Sequence, residues 1–209
     1  MAKSKVAFQS GIMTTPIFRL SFPSFVTPSK MPDSPGEPKF GCTMLFKPAE
    51  MTPEDRVRFD KIKSAVKANF DHCFDNYLDD EGRFLEGYIN PLRRGESKMD
   101  RDGYGRGVIF MAARNSTKPN LVDVRKKPID VSKFYAGAYC RASVSTWDFD
   151  NKSKGVGFNL HNMMWIGDGE PFGNTAVAPE SDFGDLSAEE MSFDDPMANE
   201  PDKTDPFGF

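Results

Sequence analysis

Apolar and polar residues trade places at every second position in several stretches of this chain. Phe18, Leu20 and Phe22 fall on one side of residues 16–22, and Phe40, Cys42, Met44 and Phe46 repeat the pattern further on. A period of two belongs to a half-buried strand, so two strands are predicted. Between them, VTPSKMPDSPGEPK (residues 26–39) is proline-rich and predicts a loop. The period then changes. Thr52, Pro53, Glu54 and Asp55 make a helix start: a capping hydroxyl, a proline at the first helical position and acids in the first turn. Behind it, Phe59, Ile62, Val66, Phe70 and Phe74 recur at helical spacing, a stripe that packs on a core. The helix is expected to end between Asn76 and Gly82.

Residues 87–107, GYINPLRRGESKMDRDGYGRG, have no period. They predict a long basic loop or irregular hairpin. A strand is predicted over residues 107–114 and a turn-rich connection over 115–128. The longest alternation runs from Phe134 to Phe149. Ala136, Ala138, Cys140, Ala142, Val144 and Thr146 form one face, small enough for the inside of a curved sheet. Tyr135, Tyr139, Arg141, Ser143, Ser145, Trp147 and Phe149 form the other. After the turn DNKSKG, the alternation of Val156, Phe158, Leu160, Asn162, Met164 and Ile166 predicts a hairpin partner. Strands with one helix after the second predict a mainly β chain, an OB-fold-like antiparallel barrel with one inserted α-helix. An open α+β sheet is the competing architecture. Beyond Gly167 no period survives, and a disordered acidic C-terminal tail is expected. The domain is placed at residues 1–173 and the tail at 174–209.

Charge sharpens this division. The net charge is −4, but residues 168–209 hold 12 acids and one base, a net −11, whereas residues 1–167 hold 26 bases and 19 acids, a net +7. A basic body points to a polyanionic partner. No stretch of about 18 apolar residues crosses a membrane, and the N-terminus lacks the apolar run of a signal peptide, so a cytoplasmic protein is expected. Three distant cysteines, Cys42, Cys73 and Cys140, suit reduced core thiols.

Catalytic chemistry is hard to find. His72 and His161 have no partner at zinc spacing, and the glycine-rich stretch 102–107 lacks the Lys-Ser/Thr of a phosphate loop. The acids Asp79, Asp80 and Glu81, and the pair Asp148 and Asp150, sit at turns, where Asp is common for backbone reasons. A metal-dependent nuclease using Asp79, Asp80 or Glu81 is one rival reading, and a virion or interaction protein is another. Neither a cofactor nor a metal is expected.

The row Tyr139, Arg141, Trp147 and Phe149 is the stronger signal. Aromatic rings on a strand's outer face either pack under other residues or stack on unpaired bases, and around a +7 body the second reading is preferred. Lys152 and Lys154 in the hairpin turn, with Arg93, Arg94, Lys98, Arg101 and Arg106 in the basic loop, would follow the phosphates, and Tyr88 and Tyr104 lie among them. The ending, with Asp202, Asp205, Pro206, Phe207 and Phe209, would compete for the basic surface and present rings to partner proteins.

Two longer stretches add a resemblance. KPAEMTPEDRVRFDKIKSAVKANF and FYAGAYCRASVSTWDFDNKSKGVGFNLHNMMWIGDGEPFG, with KPNLVDVRKKPID at 118–130, resemble a family of tailed-phage proteins. That family, often known only as a domain of unknown function, includes OB-fold single-stranded DNA-binding proteins of enterobacterial phages. The pattern over residues 135–170 is its most specific part, and the likeness spans most of 16–173. The acidic ending resembles tails of bacterial and phage single-stranded DNA-binding proteins, which end in Phe and recruit replication enzymes. The resemblance implies an OB fold, sequence-independent binding of single-stranded DNA, and a role in phage DNA replication or recombination. It carries no motif for individual DNA contacts, so the site residues rest on pattern and charge.

Overall fold

The computed structural model describes residues 9–30 and 36–173. Nine strands and one long helix follow in chain order: β1 (Met13–Thr14), β2 (Phe18–Ser29), β3 (Lys39–Phe46), α1 (Pro53–Cys73), β4 (Tyr88–Ile89), β5 (Arg93–Arg94), β6 (Ile109–Asn115), β7 (Asn120–Val122), β8 (Tyr139–Asp150) and β9 (Lys154–Gly167). Five of them close on themselves. β8 pairs with β2, β2 with β3, β3 with β6, β6 with β9, and β9 with β8 again. A ring leaves these strands no free edge to template aggregation. The β6–β9 seam is parallel, so the barrel is antiparallel except at that seam, and β4 and β7 also flank β9 in parallel.

The helix plugs the barrel. Thr52 caps it by accepting a hydrogen bond from the Asp55 N–H at 3.2 Å. Phe59, Ile62, Val66 and Phe70 then turn inward among Phe18, Leu20, Met44, Phe46, Met111, Val144 and Leu160. A fully buried Asn69 donates from Nδ2 to Thr146 Oγ1 at 3.2 Å, which fixes the helix against β8. The helix ends at Cys73, earlier than expected, because Phe74 leaves in extended geometry (φ −130°) to pack on Tyr88.

Other expectations shift for identifiable reasons. Val26–Ser29 belong to β2, so the first four residues of the proline-rich loop are a strand extension. β8 begins only at Tyr139; Phe134 sits in a turn and packs edge-on against Phe25. Two strands contain a bulge, one extra residue that reverses the side-chain parity beyond it. In β2 the register slips between Ser21 and Ser24, and Phe22 turns outward rather than joining Phe18 and Leu20. In β9 it slips at His161, so Met163 is buried and Asn162 exposed. On the small face Ala138, Cys140, Ala142, Val144 and Thr146 are buried as expected, whereas Ala136 lies in the turn before β8 and is half-buried. The tail, with Asp202, Asp205, Pro206, Phe207 and Phe209, lies outside the described residues.

Candidate nucleic-acid interface

One row of side chains crosses the outside of the barrel in strict register: Tyr139 on β8, Arg19 on β2, Leu45 on β3, Phe110 on β6 and Arg93 on β5. Leu45 and Phe110 are buried although they face outward, because the basic loop lies on them. Tyr104 packs edge-on against Phe110 at 5.1 Å, and its hydroxyl lies 3.4 Å from Ser21 Oγ. Lys98 places its ammonium over both Tyr104 and Phe110, at 5.6 and 5.2 Å, and Arg93 lies over Phe110 at 4.6 Å. Inside the loop, the Glu96 carboxylate takes a hydrogen bond from the Gly107 N–H, which holds the basic turn together. An aromatic shelf thus anchors the loop, with Arg93 and Lys98 lying on it. Arg94, Arg101 and Arg106 are exposed.

The next row is made of small residues. Gly157 and Ala112 form the floor of an open groove of about 430 Å³ between the basic loop and the β2–β3 hairpin. Ala112 is in register with Thr43, and Thr43 with Ser21, so the same row continues over β3 and β2. Trp147 and Phe149 line one end, with ring centres 5.6 Å apart. The Trp147 indole lies on Gly157, where a Cβ would come within 2.8 Å of it. Lys39 holds its ammonium 5.6 Å from the centre of Trp147. Arg93 lines the groove as well. Opposite, Arg114 donates to Ser29 and to the Lys39 carbonyl and so clamps the hairpin wall.

The structure therefore unites Arg93, Trp147 and Phe149 in one groove, while Lys98 and Tyr104 lie on Phe110 and Arg101 lies on Phe22, outside the groove lining. Burial, reinforced by Arg93 and Arg101, lowers the Lys98 ammonium below its ordinary pKa. A phosphate beside it would relieve that penalty. Lys152 is exposed at the tip of the β8–β9 hairpin, and Lys154 pairs with Asp150 at 3.1 Å. Three expected contacts lie elsewhere. Tyr88 is half-buried on Phe74 at 5.4 Å and serves the core. Tyr139 is at the far end of β8, with Arg19 over its ring at 4.9 Å. Arg141 donates to the buried Asp55 carboxylate at 2.8 Å, an internal ion pair rather than a phosphate contact. Sequence reading missed Lys39, Arg114 and Phe22. The first two look like ordinary loop and strand cations until the hairpin folds beside β8, and Phe22 was assigned to the core by its parity.

Of the acids considered for metal binding, Asp79, Glu81 and Asp150 are engaged in local ion pairs. Asp79 accepts from the Arg83 side chain at 2.9 Å and from the Glu81 and Arg83 backbone N–H groups. Among the described residues, no group of three or more His, Cys, Asp or Glu could hold a metal ion. No helix among them is long and apolar enough to cross a membrane.

Residues 11–194 match the family described as Enterobacter phage Enc34, ssDNA-binding protein. The chain belongs to this family. It is 27% identical over 184 residues to protein p50 of Acyrthosiphon pisum secondary endosymbiont phage 1, covering 82% of this chain and 92% of that one. Among solved structures, the single-stranded DNA-binding protein from bacteriophage Enc34 in complex with ssDNA superposes with a TM-score of 0.60 at 21% identity, covering 83% of this chain and 97% of that chain. Crystalline gp2.5, a single-stranded DNA-binding protein encoded by bacteriophage T7, gives a TM-score of 0.50 at 11% identity, covering 85% and 99%. These likenesses establish a shared OB-type barrel.

Proposed function

We propose that this chain is a non-enzymatic, sequence-independent single-stranded DNA-binding protein acting in phage DNA replication or recombination in the host cytoplasm. The observation that carries the reading is the groove itself: Trp147 and Phe149 stand beside a floor of Gly157 and Ala112, between walls that carry Arg93, Arg114 and Lys39. Membership of a family described by ssDNA binding supports it. Backbone phosphates would follow the cations, and unpaired bases would stack on the rings, each worth about 1–3 kcal/mol. A duplex hides its base faces and could use only the charges.

The domain of residues 1–173 would do the binding. The tail of residues 174–209, net acidic and ending in Phe207 and Phe209, would compete for the same cations and recruit replication or recombination proteins once DNA displaces it. The test is anisotropy of a labelled oligothymidylate and of a matched duplex across a salt series. Single-strand binding is expected to fall with a log–log slope of about −2 or steeper, since each neutralised phosphate adds about −0.7. Duplex binding should be weaker at every salt concentration, and deletion of residues 181–209 should tighten both. Absence of single-strand binding at low salt would overturn the reading. Unchanged affinity after the deletion would remove tail competition while leaving recruitment in place.

A further inference from the structure

Phe22 is the most unusual aromatic residue of the barrel. Its neighbours Phe18 and Leu20 are 2% and 0% exposed, yet Phe22 is 52% exposed. It also has φ +46°, a left-handed conformation that bulky side chains rarely adopt. Both features come from the β2 bulge, which pushes the ring out of the core phase of the strand. Strain of this kind persists where function requires the resulting geometry. The ring is not left bare, because the Arg101 guanidinium of the basic loop lies 5.2 Å from its centre.

Its position gives the strain a purpose. Phe22 follows Ser21, the last residue of the small row Gly157, Ala112, Thr43 and Ser21. Trp147 stands at the opposite end of that row. Four strand spacings separate the two ends, about 19 Å along the sheet, the groove spanning its Gly157 and Ala112 end and Tyr104 lying against Ser21 at the other. This lies within reach of the several nucleotides that an OB barrel engages. We propose that Phe22 is a second base-stacking platform, marking where the strand leaves the groove that Trp147 marks at the other end. In the free protein, Arg101 occupies the stacking face. When a base arrives, Arg101 gives up the ring and pairs with an adjacent phosphate, so the cation that protects an exposed ring from water also takes part in binding. The proposal rests on the reading of the groove as a single-strand site.

Phe22→Gly separates this role from a structural one. Glycine adopts positive φ freely, so the variant is expected to melt at or above the wild-type temperature. Its affinity for oligothymidylate should nevertheless fall roughly 5- to 100-fold, the equivalent of one lost stacked base, with an unchanged salt slope because no charge is lost. Phe22→Trp should retain binding. Arg101→Ala should flatten the slope by about 0.7, one phosphate's share. Wild-type affinity in Phe22→Gly, with Trp147 fluorescence still quenched by DNA, would overturn the Phe22 platform and leave the groove reading intact. Failure of the wild-type protein to bind would overturn both.

Discussion

Asp55 and Arg141 show how a side chain that looks like a ligand contact becomes part of the framework. Asp55 is 3% exposed although it lies in the first turn of a helix. Its carboxylate accepts from Arg58 and Arg141, each at 2.8 Å, and from the Ile17 N–H at 3.2 Å. Three donors make a buried charge tolerable, and losing the acceptor would strand two guanidinium groups. Asp55→Ala is expected to destabilise the fold by about 3 kcal/mol, near the lower end for a broken buried pair because both arginines keep some water. Urea unfolding would measure it. Arg141→Ala should weaken the fold in the same assay and leave single-strand affinity unchanged. In the sequence, Arg141 shares the outward phase of Trp147, and nothing local shows that β8 brings it under the start of α1.

The elements divide in the same way between what local pattern reveals and what only pairing reveals. The helix was legible from Thr52, Pro53 and its five-residue stripe, because capping and burial are both written within one segment. The inner face of β8 was legible because Ala138 to Thr146 alternate without interruption. The bulges at Phe22 and His161 were not, since an extra residue is defined only against the partner strand. Nor was β7, whose three residues are a strand only because Asn120–Val122 find β9. The same closure sets the reactivity of the thiols. Burial pushes Cys140 up to about 12, and burial with Cys140 nearby raises Cys42 as well. Cys73, at the end of α1, is only partly covered. Mild alkylation at neutral pH should therefore modify Cys73 first and leave Cys42 and Cys140 intact until the barrel opens in denaturant. Equal rates at all three sites, followed by mass spectrometry, would mean that the β8–β2 seam breathes freely.

For the molecule as a whole, the barrel supplies rigidity and a loop laid on its outer surface supplies charge. Leu45 and Phe110 hold that loop rather than filling the core, and Arg93 of the loop reaches the groove that Trp147 and Phe149 line. Charge segregation was visible in the sequence, but the groove was not, because its walls come from residues as far apart as Ser29, Lys39, Ile89 and Arg93 and its floor from β6 and β9. The account therefore stands on Trp147 meeting DNA. Trp165 can be removed as a competing reporter: its buried indole N–H has no hydrogen-bond partner among the described residues, so Trp165→Phe should fold normally. In that background, single-stranded oligothymidylate should quench Trp147 fluorescence to saturation, in step with anisotropy, and the matched duplex should barely change it. Single-strand binding detected by anisotropy without any change in Trp147 emission would place the DNA elsewhere and contradict the groove.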